Sequence, residues 1–370
     1  MSLKSKYFSF WVILFLVVAT VASAQSGADV KPKNIIFLIG DGMGVAHVTA
    51  AKIVNGSLNM ERFKIMGMHM TASANDYVTD SAAAGTALAT GYKTNNDVVG
   101  LNPEGKPLKN LMEYAREAGK ATGIAVSSIL PHATPAAFSA HHKARYHYDV
   151  ILDQQLNSGL DVMIGGGWDN FYPQSFTASR RKDDRNLMLE LRKKMPVVTS
   201  YEAFAQIGKT YKLAAILNGG HLPPASKRNY TLGNLTDKAI EILNLNDKGF
   251  VLMVEGSQID LAAHDGEMER VLAETVDFDT AIKSALDFAE ADGNTLVVVT
   301  ADHETGGLSF PMKSIENAKI VNPVFSSDNH TAAMVPLFAF GPGAEKFGGM
   351  CDITHVGKTL IELVKVDEQP

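Results

Sequence analysis

Six apolar runs of strand length, each cut short by glycine, acid or a polar loop, constrain this chain more than any other feature. Asn34-Ile35-Ile36-Phe37-Leu38-Ile39 stops at Gly40-Asp41-Gly42. Ala121–Ser127 ends at a polar loop, and Asp161–Ile164 ends at Gly165-Gly166-Gly167. Phe250–Val254 ends at Glu255-Gly256, Thr295–Thr300 at Ala301-Asp302-His303, and Val335–Phe340 at Gly341-Pro342-Gly343. A run without polar alternation suits a strand covered on both faces, as in a parallel sheet. Between the runs, Leu108–Ala118, Leu235–Leu243 and Val271–Ala291 repeat apolar residues at helical spacing, with Gly119 and Asp292-Gly293 as stops. Strands alternating with helices predict an α/β fold: a single large domain with a mostly parallel central β-sheet flanked by helices on both faces. Ligands of such sheets collect beyond the carboxyl ends of the strands.

Those ends carry the reactive side chains. Asp41 follows the first run; Glu255 follows the fourth, with Asp260 and His264 close behind. Asp302 and His303 follow the fifth, His330 precedes the sixth, and His132 and Thr134 lie just past Ala121–Ser127. One such acid by itself reads as a helix cap. Carboxylates and imidazoles gathered on one sheet edge repel or desolvate one another unless a cation lies between them. Zinc accepts mixed carboxylate and imidazole ligands, whereas magnesium prefers Asp, Glu and hydroxyl oxygen. Both sets are present. Asp260-x-x-x-His264 shares one face if that segment is helical.

A nucleophile is also in view. Thr79-Asp80-Ser81-Ala82-Ala83-Ala84-Gly85-Thr86-Ala87 opens with capping residues and runs into small helix formers. A serine at a helix N-terminus is well placed to carry a phosphoryl group, because free N–H groups there favour anions. No Gly-x-Ser-x-Gly elbow supports a histidine base, so a metal is the natural activator of Ser81.

Six stretches stand out together: Asn34 to Gly44 around Asp41, Val78-Thr79-Asp80-Ser81-Ala82-Ala83, Gly91 to Asn95, Ala133 to Ala137, Val254 to His264, and Asn294 to Gly307. In these stretches the chain resembles the alkaline phosphatases of the exported bacterial type. They stand in the family's order, and the resemblance spans about residues 34–342. The resemblance implies a first zinc on Asp260, His264 and His330, and a second on Asp41, Asp302 and His303 beside Ser81. A third metal, usually magnesium, would use Asp41, Thr134 and Glu255. Arg145 would grip two phosphoryl oxygens, as a guanidinium can, with Asp80 bracing it. The implied function is an exported phosphomonoesterase that works through a phosphoserine on Ser81 in a two-metal scheme. Small-molecule phosphate monoesters are the expected substrates, and a homodimer the expected assembly.

Two positions depart from many bacterial members. His132 stands where they have Asp, which removes a negative group near the third metal and bears on that metal's identity. Leu261 stands where they have Lys, which removes a cation that would help hold phosphate.

Composition narrows the rest. Apolar residues make up 46% of the chain, enough for a large core, and the single cysteine, Cys351, allows no internal disulfide. A formal charge of −6 argues against nucleic-acid binding. Lys4 and Lys6, the apolar run Phe8–Val21 and Ala22-Ser23-Ala24 read as a signal peptide over residues 1–24. That leaves a catalytic domain over 25–370, no stable membrane anchor, and a periplasmic or extracellular location. Residues 168–234 are expected to be an irregular, solvated surface excursion. The rival functions are a phosphodiesterase or sulfatase of the same superfamily and a catalytically silent binding protein. No Cys/Ser-x-Pro-x-Arg motif lies near Ser81, and every expected ligand position is filled.

Overall fold

Every residue of β1 (Asn34–Gly40) is buried, as the uninterrupted apolar run requires. The computed structural model describes residues 31–365, and the leader expected over 1–24 lies outside them. The strands that follow β1 are β2 (Ile65–Met70), β3 (Ala121–Ile129), β4 (Val162–Gly166), β5 (Val197–Val198), β6 (Leu213–Ile216), β7 (Phe250–Gly256) and β8 (Thr295–Thr300). Short pairing strands come next: β9 (Glu304–Thr305), β10 (Leu308–Ser309), β11 (Ile315–Glu316), β12 (Lys319–Ile320), β13 (Val324–Phe325) and β14 (His330–Thr331). β15 (Val335–Phe340) and β16 (Gly349–Asp352) then return to the main sheet.

The ten-stranded sheet runs in the order β16-β2-β15-β8-β1-β7-β3-β4-β6-β5. From β8 to β5 all neighbours are parallel, whereas β15 is antiparallel to both β8 and β2. Alternate residues of β1 feed opposite faces: Ile35, Phe37 and Ile39 join one core cluster, Ile36 and Leu38 the other. This is the expected mostly parallel sheet with helices on both faces.

Several elements differ from the sequence reading. The helix expected over Leu108–Ala118 starts at Leu111, because Asn110 caps it and the Glu113 carboxylate accepts from the Asn110 N–H. Residues 168–234 are not the solvated excursion expected; they supply β5 and β6, and β6 is fully buried beside β4. Within their charged cluster, Arg181 is buried and forks onto Asp183. Two of the four residues of β6 are alanines, which strands disfavour, so it does not stand out beside the β-branched runs. β2 was hidden for another reason: its Met-rich sequence is half exposed.

The sheet order builds the site. β8, β1, β7 and β3 are adjacent, with Ile39 level with both Glu255 and Thr300, and Val126 level with Glu255. Parallel strands in register end together. Asp302, Asp41, Glu255 and the 132–134 turn therefore meet along one edge.

Candidate metal centre

Two helices bring the remaining groups to that edge. Ser81–Thr90 is buried along its length, and Asp80 caps it by accepting from the Ala83 N–H at 2.9 Å. The other oxygen of Asp80 accepts from Arg145 Nη1 at 2.8 Å. The second Arg145 nitrogen, Nη2, reaches Ser81 Oγ at 3.5 Å. Gln258–His264 carries Asp260 and His264 on one face, 3.3 Å apart, as the i, i+4 spacing predicts.

Three groups of ligand atoms converge: Asp260, His264 and His330; Asp41, Asp260 and His303; and Asp41, His132 and Glu255. In the first, His264 Nδ1–H donates to the Asp328 carbonyl at 2.6 Å and His330 Nδ1–H to the Thr79 carbonyl at 2.8 Å. With the rings neutral, both Nε2 atoms are left as acceptors, and they face each other at 3.2 Å. Two imidazole lone pairs and a carboxylate aimed at one point repel unless a cation takes them. In the second, His303 Nε2 lies 3.5 Å from Asp41, 3.2 Å from Asp302 and 3.3 Å from Ser81 Oγ. Neither oxygen of Asp41, though fully buried, has a hydrogen-bond partner. In the third, one Glu255 oxygen accepts from Ser257 Oγ at 2.6 Å, while Oε1 has no partner. Thr134 is buried beside it, and His132 Nδ1 is likewise buried and unpaired. Orphaned buried acceptors of this kind fit divalent cations. Asp41 belongs to two of the groups, and so does Asp260.

Protonation follows from the crowding. Burial, then the neighbouring Asp302, Asp260 and Glu255, push Asp41 well above the usual carboxylate range. Burial raises Asp302 and Glu255 to about 7. Asp260 goes the other way: burial works to raise it, but the His264 hydrogen bond and the nearby His303 and His330 hold it low. That same hydrogen bond lifts His264 to about 9. Burial lowers His303 far below its ordinary value, with His330 adding to it.

These shifts set a pH dependence for the metal-free protein. Asp302, Glu255 and His264 hold protons more tightly folded than unfolded. Their stabilising contribution is complete below the unfolded values and is lost as pH rises toward 7 for the acids and toward 9 for His264. Below about pH 7 the buried His303, His132, His47 and His69, which burial holds neutral in the folded chain, work the other way, because their contribution grows as pH rises through the unfolded histidine value. Chelated protein should therefore melt at progressively lower temperature between pH 7 and pH 9, on the order of a few degrees or more. Metal-loaded protein should not, because bound cations take the place of those protons. Thermal melts of both forms across that range check this; parallel curves would contradict it.

Comparison with known proteins meets this geometry directly. The alkaline phosphatase family pattern matches residues 32–324. The chain belongs to the alkaline phosphatase family. Alkaline phosphatase 4 of Bacillus subtilis is 32% identical, covering 93% of this chain and 91% of its own length. The alkaline phosphatase of Escherichia coli K12 is 32% identical over 92% of this chain and 88% of its own. The solved alkaline phosphatase of the Antarctic bacterium TAB5 superposes with a TM-score of 0.84 at 33% identity, covering 92% of this chain and 100% of that one. Two histidine variants of that enzyme, to Glu and to Asp, are described with Mg bound in its M3 site. Membership makes this chain an alkaline phosphatase, a phosphoric monoester hydrolase of a metal-dependent family acting on small phosphate monoesters.

All twelve singled-out residues of this alkaline phosphatase sit at or beside the common edge. Leu261 is half-buried on the Asp260 helix. Sequence reasoning missed the groups that hold the ligands: Ser257 and Ser128 on Glu255, His221 packed edge-on against His132 at 5.6 Å, and Thr305. For Thr305 a signal existed, since a residue two past His303 on an extended stretch lies on the same side.

Proposed function

We propose that this alkaline phosphatase hydrolyses phosphate monoesters through a covalent phosphoserine on Ser81, with two zinc ions and one magnesium. The zinc ions would be held by Asp260, His264 and His330 and by Asp41, Asp302 and His303; magnesium by Asp41, Thr134 and Glu255. When bound, the cations supply Lewis acidity that eases deprotonation of a hydroxyl and offsets charge on the transferring phosphoryl group. The chain's own groups do the rest. Arg145, held by Asp80, orients two phosphoryl oxygens, and the N–H groups opening the Ser81–Thr90 helix add to the anion's binding. Ser81 Oγ attacks phosphorus in line and the alcohol departs. Water then attacks the phosphoserine from the opposite side, returning Ser81 and releasing phosphate.

One observation carries this reading: Ser81 Oγ lies between His303 Nε2 at 3.3 Å and Arg145 Nη2 at 3.5 Å. A nucleophile, a metal-ligand imidazole and a phosphate-gripping cation thus share one point. Phosphate release from a simple aryl phosphate, with and without chelator, tests it. Chelator-sensitive release, with little from a bis-aryl phosphate, supports a monoesterase. Preference for the diester, or no release from fully metallated protein, contradicts it. The leader over 1–24 supports export of a catalytic domain over 25–370 to the periplasm or medium. Among the described residues no helix is long and apolar enough to cross a membrane. The homodimer is carried forward by family analogy.

His132 sets the character of the third site. Its imidazole lies among the Asp41 and Glu255 oxygens, and burial, with Arg145 and His221 adding to it, pushes its pKa down to about 3. It is neutral at working pH, brings no negative charge for magnesium, and offers nitrogen that zinc accepts. The TAB5 variants with Mg bound fit this reading. His132→Asp is expected to lower the magnesium concentration needed for full activity by about tenfold and to reduce inhibition by excess zinc. Magnesium titration of metal-stripped wild type and variant checks this; superimposable curves would remove His132 from the site.

A further inference from the structure

Thr305 has no part in the chemistry above, yet its hydroxyl touches a ligand of each zinc set. The side chain is fully buried. Its Oγ1–H donates to Asp260 Oδ1, and the same oxygen lies 3.2 Å from His303 Nδ1. A hydroxyl has one proton, and the carboxylate can only accept. Toward His303 the oxygen is therefore the acceptor, and His303 Nδ1 carries the hydrogen. That assignment leaves His303 Nε2 as a lone pair facing Asp41 and Ser81. Asp260 groups with His264 and His330 and lies within reach of Asp41 and His303 as well; in the zinc assignment above it is a ligand of the first set and His303 of the second. One hydroxyl thus joins the two sets.

The backbone of Thr305 extends the connection. Its N–H donates to the Gly42 carbonyl at 3.1 Å, in the turn that carries Asp41. It is also the ladder partner of His330, through β9 and β14. Gly42 has a φ of +72°, and a Cβ there would lie 2.8 Å from Thr305 Oγ1 and 2.9 Å from Asp260 Cα. The turn closes over the hydroxyl, leaving no room on that side for water to stand in. Every segment that supplies a zinc-set ligand meets near this residue: the Asp41 turn, the Asp260 helix, the strand end at His303, and β14.

We propose that Thr305 is a positioning residue that couples the two zinc sets, so that zinc enters and leaves them cooperatively. This rests on the zinc assignment above. Removing the hydroxyl frees the Asp260 carboxylate to rotate and releases the His303 tautomer, and each change loosens a different set. Outer contacts of this kind are worth roughly ten- to a hundredfold in metal affinity.

The test is zinc content per chain of the intact protein, measured against chelator concentration for wild type, Thr305→Val and Thr305→Ser. Val matches the shape without the hydroxyl; Ser keeps the hydroxyl. Wild type and Thr305→Ser are expected to lose two zinc ions in one steep transition. Thr305→Val should lose them in two separate steps, at least one about tenfold weaker. A single wild-type transition in Thr305→Val overturns the coupling while leaving the zinc assignment intact. Wild-type protein that binds no zinc overturns the assignment itself. If Thr305→Val fails to fold, nitrogen NMR of histidine-labelled, zinc-loaded wild type decides. A hydrogen-bonded, slowly exchanging proton on His303 Nδ1 is expected, and a proton on Nε2 instead overturns the proposal.

Discussion

Ser81→Ala is expected to fold and load metal like wild type while turning over on the order of a thousandfold or more slowly. The fold should survive because the helix start does not depend on the Ser81 hydroxyl. Asp80 supplies the cap to the Ala83 N–H, and Ala is the best helix former. Metal content should survive because the carboxylates and imidazoles belong to other residues. Turnover falls because the covalent route is gone, and removing a covalent nucleophile costs this much or more elsewhere. The activity that persists would reflect phosphate binding by Arg145 and direct attack of water. Steady-state rates on an aryl phosphate, together with zinc and magnesium analysis of the same samples, check both halves. An Ala variant with wild-type turnover would end the covalent route.

Asp41→Ala has the next largest expected effect, and it should exceed that of Thr134→Ala by a wide margin. Asp41 is common to two of the three ligand groups, one with His303 and Asp260 and one with His132 and Glu255. Its loss should empty or weaken two sites, with activity falling on the order of a hundredfold or more. Thr134→Ala should weaken one site by about tenfold, correctable with added magnesium. Asp41→Ala should leave metal-free protein no less stable than metal-free wild type. Burial and three neighbouring acids already disfavour the charged form of Asp41, so what it gives up is function and not folding energy. Metal content, activity against added zinc and magnesium, and melts of the stripped proteins measure the three effects. Equal losses in the two variants would contradict the bridging role.

Much of this was legible because the fold writes its site at fixed places in the chain. An apolar run such as Ile35–Ile39 has to be a strand buried on both faces, and the residue after it has to be at the sheet edge. Asp41, Glu255 and Asp302 could be named as neighbours without knowing which strands are adjacent. Asp260 and His264 followed from helical spacing, and the Asp80 cap from local chemistry. What escaped has a common cause. Thr305, Ser257 and Ser128 act on ligands through a hydroxyl, and a hydroxyl in a sequence carries no mark of what it faces. Half of β6 is alanine, and its place beside β4 is a long-range fact. The sharing of Asp260 between two ligand groups depends on how far its helix leans over the edge, which spacing does not encode.

The central claim is that phosphate passes through Ser81. Its most direct test is acid quenching of the metal-loaded enzyme during turnover of an aryl phosphate at mildly acidic pH, followed by peptide mapping. A phosphorylated peptide with the group on Ser81 is expected in wild type, and none in chelated protein or in Ser81→Ala. Rapid phosphate release with no phosphate on Ser81 at any quench time would contradict it.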